Sequence, residues 1–264
     1  MNGTADYQPG LSGARVLVTG GTRGIGAATV RRLAAAGAEV VAAARTAPAQ
    51  PDNAPWRFVT ADVATADGAA ALAAQALELL GGIDVLVSNA GGQTHRPEGI
   101  LHFSDEDWQR DLDTNLLSAV RLDRALLPAM IAQGSGGSII HVGSNAARMP
   151  RPASLPYTAA KAALSAYSKG LAVEAGRHGI RVNTVLPGLI RTEALDTRLA
   201  SVAAQSGSTP EATLQSTVAA LGIPLGRAGT ADDVAALITF LASPAAGYLT
   251  GSQFTVDGGA LPTL

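Results

Sequence analysis

The chain has 264 residues, of which 47% are hydrophobic and 15% are charged, and its net charge is −2. This length suits one α/β domain with a large core, and the charge gives no basic footprint for nucleic acid. Because cysteine is absent, thiol catalysis, disulfides and cysteine-based metal sites are excluded. The histidines show no ligand spacing, so no metal is expected. His141 lies in an apolar strand pattern and is expected to be a hydrogen-bonded core residue.

The amino-terminal segment, residues 1–10, is polar and has no basic stretch followed by an apolar run. We expect a short flexible tail here, which is neither a signal peptide nor a membrane anchor. No apolar run in the chain is long enough to cross a membrane. A cytoplasmic location without a membrane partner is therefore expected.

Strand-like and helical patterns alternate through residues 11–264, which predicts one α/β domain built on a parallel sheet. Two long helices are predicted, Asp105–Gln133 and Leu155–His178. The predicted strands are Arg15–Val18, Glu39–Ala44, Arg57–Thr60, Val85–Ser88, Ser138–Val142, Arg181–Leu186 and Gln253–Val256.

Residues 189–224 interrupt this alternation with two short amphipathic stretches around the turn Ser206–Pro210. An insertion between the last two strands lies at the carboxyl edge of the sheet, where ligands enter. We expect a mobile substrate lid, and a fixed surface excursion is the alternative.

A glycine-rich turn follows the first predicted strand and precedes a helical pattern that stops at Gly37. Its spacing is Gly-x-x-x-Gly-x-Gly. Such a turn lets backbone N–H groups approach a pyrophosphate, and the helix N-terminus favours the negative charge. The candidate cofactor-binding residues are Gly20, Thr22, Arg23, Gly24, Ile25 and Gly26.

Tyr157 and Lys161 are four residues apart, so a phenol and an ammonium lie one turn apart on one helix face. A nearby ammonium is expected to lower the pKa of the phenol towards the range useful for proton transfer. Ser144, from another element, could hold a substrate oxygen beside the phenol. The three side chains are candidate catalytic residues.

These motifs together make the chain resemble the compact single-domain branch of the short-chain dehydrogenase/reductase family, and in particular 3-oxoacyl-acyl-carrier-protein reductases and related carbonyl reductases. The resemblance covers about residues 11–260. The motifs that carry it are Thr19–Gly26, Asp62-Val63, Asn89-Ala90-Gly91, Asn115, Ser144, Tyr157-x-x-x-Lys161, Pro187-Gly188 with Thr192, and Val256–Gly259.

The resemblance implies a Rossmann-type, doubly wound α/β domain with a seven-stranded, mainly parallel sheet and helices on both faces. It also implies an oxidoreductase that reversibly reduces a ketone of a small molecule, with Tyr157 as general acid and Ser144 orienting the carbonyl oxygen. Lys161 would also hold the nicotinamide ribose, and Asn115 would support a water that links Lys161 to solvent. A homotetramer is expected, with a dimer as second choice.

The second strand supplies an argument on the choice of cofactor. An NAD site usually carries an acid at the end of this strand, whereas here Ala44 and Arg45 stand there. Arg45, together with Arg23, would attract a 2′-phosphate, so NADP(H) is favoured over NAD(H). Two solvated arginines are the alternative. Asp62 resembles the residue that reads the adenine amino group, and a helix N-cap is its alternative.

The resemblance implies further cofactor contacts from Val63, from Asn89-Ala90-Gly91 on the adenine-ribose side, and from Pro187, Gly188, Ile190 and Thr192 around the nicotinamide. The loops after the fourth, fifth and sixth strands should form the substrate pocket. Its candidates are Gln93, His95, Asn145, Met149, Leu195 and Leu199. Loop arginines that could meet an anionic substrate are Arg96, Arg148 and Arg151.

The physiological substrate stays open at this point. Carrier-protein reductases often have basic residues in the turn before the fifth strand, and here the turn Gln133–Gly137 has no charge. A non-catalytic NADP-binding regulator is the alternative from another functional class, although a degenerate tyrosine or lysine would be expected there. Enoyl reductases that resemble this chain have a wider spacing between the tyrosine and the lysine.

Overall fold

The computed structural model describes residues 9–47 and 54–262. The strands within these ranges are β1 (Arg15–Thr19), β2 (Glu39–Ala44), β3 (Trp56–Thr60), β4 (Val85–Ser88), β5 (Gly137–Val142), β6 (Ile180–Pro187), β7 (Ile190–Arg191), β8 (Gly229–Thr230) and β9 (Gln253–Val256). The α-helices are α1 (Gly24–Ala35), α2 (Ala66–Leu80), α3 (Asp105–Leu112), α4 (Ser118–Gln133), α5 (Leu155–Gly176), α6 (Glu193–Ser206), α7 (Pro210–Ala220) and α8 (Ala231–Ala242).

The main sheet has seven strands in the order β3-β2-β1-β4-β5-β6-β9. All of its strand pairs are parallel. The order reverses between β1 and β4, and in doubly wound sheets ligands bind in the crevice beyond the carboxyl ends of the strands at such a point. The predicted seven-stranded Rossmann-type fold is confirmed.

Helices cover both faces of this sheet, and each face has its own apolar core. In β1, Leu17 packs with Leu126 of α4 and the helices beside it. Val16 and Val18 point to the other face and pack with Ile238 of α8. Strands that are buried on both faces read as continuous apolar runs, which is why the strand predictions agree with the structure to within a residue or two.

The helix predicted over Asp105–Gln133 is interrupted in the structure. It consists of α3, a π-helical turn at Asp113–Leu117, and α4. A π-turn inserts a residue into the helix and is frequently found at functional sites. Asn115 lies in this turn. The helix predicted over Leu155–His178 is α5, and it ends at Gly176.

Residues 189–224 form β7, α6 and α7, in agreement with the two predicted amphipathic stretches. The two helices have a small core of their own, made of Leu195, Leu199, Leu214, Val218 and Ile223. Thr192 caps α6 and Thr209 caps α7 through their side-chain oxygens. The two-residue pairing of β7 with β8 ties the base of this segment to the start of α8.

The structure bears on two further expectations, the flexible amino-terminal tail and the homotetramer. Most of the predicted amino-terminal tail, residues 1–8, lies outside the described residues. The apolar side chains of Leu164 and Leu171 on the long helix α5 are buried within the protomer, so they carry no argument for the expected homotetramer. Within the described ranges, no helix is long and apolar enough to span the bilayer.

Candidate active site

Two adjoining cavities lie at the carboxyl edge of the sheet, beside the reversal point. The first, of about 420 Å³, extends from the glycine turn to Thr114. The second, of about 310 Å³, extends from Ile25 to the start of α6, and both are lined by Asn89 and Gly91. We call them the adenine-side cavity and the catalytic cavity. Together they are long enough to suit an extended ligand.

The adenine-side cavity contains most of the residues predicted to bind the adenosine half of the cofactor. Residues of the glycine turn and of the ends of β2, β3 and β4 line it. They include Gly20, Thr22, Arg23, Arg45, Asp62, Val63, Asn89, Ala90 and Gly91.

The glycine turn has a conformation that requires its glycines. Gly20 and Gly24 have φ values of 66° and 52°, in the left-handed region. A Cβ atom on Gly26 would collide with the carbonyl oxygen of Gly20. Helix α1 begins at Gly24, and its N-cap residue Arg23 makes no side-chain cap bond. The Arg23 side chain therefore does not cap the amides at the start of α1, a position where the helix dipole favours an anion.

Asn89 and Thr19 stabilise this turn through hydrogen bonds with the backbone. The Asn89 side-chain amide donates to the carbonyl oxygens of Thr19 at 2.9 Å and of Gly20 at 3.3 Å. In return, the Thr19 hydroxyl accepts from the backbone N–H groups of Asn89 and Ala90 at 3.1 and 3.0 Å. The Asn89 side chain thus holds the turn in place, a role that the motif alone did not indicate.

The positive charge of the adenine-side cavity comes from Arg23 and Arg45. Both are exposed, and both line the cavity. Neither forms an ion pair with a carboxylate among the described residues, in contrast with Arg15, which binds Asp84 at 2.6 Å. Two unneutralised guanidinium groups at one cavity favour a doubly charged anion there.

Asp62 also lines this cavity, but it does not cap a helix. The N-cap of α2 is Thr65. The Asp62 carboxylate accepts from the backbone N–H of Ala64 at 3.1 Å, which fixes the loop after β3. The cap interpretation of Asp62 is therefore wrong, and its position on the cavity wall agrees with a ligand contact.

The catalytic cavity brings together the predicted catalytic residues. Asn115, Ser144, Tyr157 and Lys161 all line it, and so do Pro187, Gly188, Ile190 and Thr192. Tyr157 and Lys161 come from the first turns of α5, and Ser144 follows β5 directly. The Lys161 Nζ atom lies 5.9 Å from the centre of the Tyr157 ring. Residues predicted from separate motifs thus surround one space.

Lys161 is held by the backbone of β5. Its side chain is buried, and Nζ donates to the carbonyl oxygen of Val142 at 2.8 Å. Because burial disfavours the ammonium, the pKa of Lys161 is lowered to about 8. The group can thus exchange a proton near neutral pH.

The pKa of Tyr157 differs from the expectation that Lys161 lowers it. Burial of the phenol raises this pKa, the Ser144 hydroxyl acts in the opposite direction, and the carboxylate of Asp111 adds to the rise. Lys161 Nζ donates to the Val142 carbonyl and lies 5.9 Å from the centre of the Tyr157 ring. Tyr157 is consequently a protonated phenol at neutral pH and can act as a proton donor.

The Asn115 side chain fixes the loop that follows β4. Its amide donates to the carbonyl oxygens of Gly92 at 2.7 Å and Asp111 at 2.9 Å, and its oxygen accepts from Gly92 N–H at 3.2 Å. A Cβ atom on Gly91 would lie 3.1 Å from this oxygen and 3.6 Å from Lys161 Nζ. Asn115, from the π-turn, and Lys161, from α5, therefore both lie beside Gly91.

Of the substrate candidates, only Gln93 lines the catalytic cavity. His95 instead lies near Ser154, with 3.4 Å between Nδ1 and Oγ, and Gln93 also donates to that hydroxyl. Asn145 is buried beside Gly188. Met149 lines neither cavity, and Leu195 and Leu199 point into the core between α6 and α7.

The proposed anion contacts are also revised. Arg96 forms an ion pair at 3.0 Å with the buried carboxylate of Asp107, which also pairs with Arg110 at 3.0 Å. Arg148 donates to the side chain of Gln253 at 2.9 Å. Neither arginine, nor Arg151, lines the catalytic cavity, where Lys161 is the only cationic side chain among the residues that the structure describes.

Two features of the site were missed from the sequence. The hydroxyl of Ser154, just before α5, accepts a hydrogen bond from Gln93 and lies close to His95 Nδ1. These contacts connect the loop after β4 to the start of α5. Glu193, the first residue of α6, accepts from Gly24 N–H at 3.1 Å through Oε2. A carboxylate of the predicted lid thus lies at the N-terminus of α1, where an anion is favoured.

Comparison with known proteins identifies the family. A family model described as enoyl-(acyl carrier protein) reductase matches residues 20–260. The chain belongs to the short-chain dehydrogenase/reductase family. Among its relatives, the short-chain reductase protein NovJ of Streptomyces niveus is 38% identical over 251 residues, 92% of each chain. The 3-oxoacyl-[acyl-carrier-protein] reductase FabG of Vibrio cholerae is 34% identical over 254 residues, 94% of this chain and 98% of the relative.

Relatives and solved structures with other substrates match equally well. Gluconate 5-dehydrogenase of Gluconobacter oxydans is 33% identical over 267 residues, 96% of this chain and 97% of the relative. The crystal structure of L-sorbose reductase from Gluconobacter frateurii, complexed with NADPH and L-sorbose, superposes with a TM-score of 0.91 at 35% identity. That match covers 98% of this chain and all of the other. The protein is thus an oxidoreductase family member whose substrate the family does not define.

Proposed function

We propose that this protein is an NADP(H)-dependent oxidoreductase that reduces a ketone to a secondary alcohol, reversibly. The observation that carries the proposal is that Ser144, Tyr157 and Lys161 surround one cavity, which adjoins the cavity of the glycine turn. A proton donor, an orienting hydroxyl and a buried cation are the groups that carbonyl reduction requires. Their continuity with an anion-binding turn supports a dinucleotide cofactor.

The shape of the glycine turn supports the binding of a dinucleotide. The glycine turn places the N-terminus of α1, where Gly24 N–H donates to Glu193, at the position that a pyrophosphate would take. A side chain on Gly20 would come within 2.8 Å of Asn89 Nδ2. Arg23 and Arg45 are the residues that would hold a 2′-phosphate. Ile190 and Thr192 border the opposite end, where a nicotinamide would lie. The NADPH complex of L-sorbose reductase supports the same choice.

When bound, the nicotinamide supplies the hydride that reduces the carbonyl carbon. Negative charge then develops on the carbonyl oxygen, and Tyr157 donates a proton to it. The raised pKa of Tyr157 supports this direction of transfer, because the phenol is protonated at neutral pH. Ser144 donates a hydrogen bond to the same oxygen and orients it.

Lys161 contributes a positive charge that is held in place by Val142. Its position beside Gly91 and Asn115 would let it hold the nicotinamide ribose. Since its pKa is about 8, it can also return a proton towards Tyr157 after turnover. Asn115 keeps the neighbouring loop in position for both contacts.

A second candidate is reduction of a 3-oxoacyl group on an acyl carrier protein. The relatives from Vibrio cholerae and Synechocystis, which are 34% and 38% identical, favour it. Against it stands the uncharged turn Gln133–Gly137, because docking of an acidic carrier depends on basic residues. Gluconate 5-dehydrogenase and L-sorbose reductase support a small hydroxylated ketone.

The test is NADPH oxidation measured against a panel that contains simple ketones, ketoses and a 3-oxoacyl thioester. Tyr157→Phe should lower kcat on the accepted substrate by roughly 10² to 10⁴, with NADPH binding, followed by fluorescence, nearly unchanged. Tyr248→Phe, at a fully exposed position that lines neither cavity, is the control and should behave as wild type. Wild-type turnover by Tyr157→Phe would show that another group donates the proton.

A further inference from the structure

A chain of polar side chains is buried beneath the catalytic cavity, and the catalytic roles above leave it unused. The Thr184 hydroxyl of β6 donates to Ser168 of α5 at 2.9 Å. Ser168 Oγ lies 2.7 Å from His141 Nδ1, and His141 Nε2 lies 3.0 Å from the Asp123 carboxylate of α4. His141 itself is fully buried in β5. One imidazole therefore joins strands β5 and β6 to helices α4 and α5.

The hydrogen atoms of this chain can be assigned by counting donors. Ser168 Oγ accepts a hydrogen bond from the Thr184 hydroxyl. The single proton of Ser168 is therefore donated to His141 Nδ1. Nε2 is then the protonated ring nitrogen and donates to the Asp123 carboxylate, which can only accept. Each donor has one acceptor, so the chain has a definite direction and geometry.

This chain lies next to the atoms that hold Lys161. The residue after His141 is Val142, whose carbonyl oxygen accepts from Lys161 Nζ at 2.8 Å. Ser168 and Lys161 are seven residues apart on α5, so both face the sheet. The bond from Ser168 to His141 therefore joins the same helix to the same strand, two turns further along α5 than the bond from Lys161 to Val142.

A purely structural explanation would make an apolar side chain sufficient at position 141. Ile139, two residues earlier on the same strand face, is fully buried in the apolar core. Burying an imidazole and a carboxylate costs free energy that an apolar pair does not. The imidazole adds directional hydrogen bonds. These bonds fix the position of α5 along β5, whereas apolar packing tolerates small shifts of the helix.

We propose that His141 is a positioning residue, which through Ser168 and Asp123 sets the register of α5 against β5 and thereby holds Lys161 Nζ on the Val142 carbonyl. The importance of Lys161 for turnover rests on the proposed function. The register itself does not, so the two can be tested apart.

The experiment uses the fact that the sequence contains only two lysines, Lys161 and Lys169. Protein labelled with ¹³C at the lysine ε-carbon gives two signals, and Lys169→Arg assigns them. The midpoint of the Lys161 signal is followed against pH in the full chain, without cofactor or substrate. Ser168→Ala removes the bond to His141. Its matched control is Ser165→Ala, another buried serine of α5 whose hydroxyl bonds only within its own helix, to the Lys161 carbonyl at 3.1 Å.

Ser168→Ala should move the Lys161 midpoint to lower pH, because a buried ammonium that loses its carbonyl acceptor is easier to deprotonate. Ser165→Ala should leave the midpoint in place, and Ser168→Thr, which keeps the hydroxyl, should restore it. In turnover, kcat of Ser168→Ala should fall about tenfold, with the KM for the ketone little changed, as expected when a catalytic group is displaced.

The proposal is wrong if Ser168→Ala and Ser165→Ala lower the melting temperature alike and both leave the Lys161 midpoint unmoved. In that case Ser168 only stabilises the fold. If the midpoint moves while wild-type protein reduces no ketone with NADPH, the register role of His141 stands and the proposed function fails.

Discussion

Replacing Ala44 by Asp together with Arg45 by Ala should turn the protein away from NADPH. Arg45 is one of two guanidinium groups at the adenine-side cavity that form no ion pair among the described residues. A hydrogen bond to a charged group contributes about 1.5–3 kcal/mol when desolvated, and exposure reduces this to about 1 kcal/mol. The carboxylate introduced in place of the Ala44 methyl group adds a repulsion of similar size, so the total of about 2 kcal/mol is about thirtyfold in kcat/KM for NADPH.

The assay is kcat/KM for NADPH and for NADH on one accepted ketone, in wild type and in the double variant. NADH has no 2′-phosphate, so its value should change little or improve. Arg31→Ala is the control, because Arg31 is an exposed arginine of α1 that lines neither cavity, and it should leave both values unchanged. A wild-type preference for NADH, or a double variant with an unmoved NADPH/NADH ratio, would refute the assignment of Arg45.

Three further outcomes are expected. Because the Glu193 carboxylate accepts from Gly24 N–H where a phosphate would bind, Glu193→Ala should tighten NADPH binding about threefold in fluorescence titration, and weaker binding would contradict this. Arg15 lowers the pKa of Asp84. The ion pair therefore stabilises the fold above the usual pKa of an aspartate, and this stabilisation is lost as pH falls through the lowered pKa of Asp84. Asp84→Asn should therefore lower the free energy of unfolding by about 1 kcal/mol at pH 7, with the difference vanishing in acid urea titrations. Light scattering at micromolar concentration should give a homotetramer, and a stable monomer would reject it.

The sheet could be predicted from the sequence because its strands are buried on both faces. Val85–Ser88 and the other apolar runs have few alternative interpretations once glycines and helical patterns separate them. The glycine turn was equally readable, since Gly20 and Gly24 do adopt the left-handed conformation that only glycine takes easily. These features depend on short segments whose local physics agrees with the fold.

The π-turn at Asp113–Leu117 could not be predicted in this way. Its residues fit a regular helix, and neither a glycine nor a proline in Asp113–Leu117 signals the inserted residue. The same limit applies to Leu195 and Leu199. Their apolar character was correct for a pocket wall and for a core, and only the pairing of α6 with α7 decides between the two.

The pKa of Tyr157 shows most clearly what sequence spacing omits. The one-turn separation of Tyr157 and Lys161 predicts attraction between phenolate and ammonium. It does not indicate that the phenol is buried, or that the ammonium donates to the Val142 carbonyl. Burial disfavours the phenolate, so the proton is present for reduction at neutral pH and must be removed for oxidation of the alcohol. The rate of oxidation should therefore rise with pH between about pH 6 and pH 10, while the rate of reduction stays nearly constant, because a phenol whose pKa is raised above the ordinary value of 10.0 keeps its proton across this range. Initial rates in both directions on one ketone and alcohol pair measure this, and an oxidation rate that is flat across the range would show that Tyr157 is already ionised in the active enzyme.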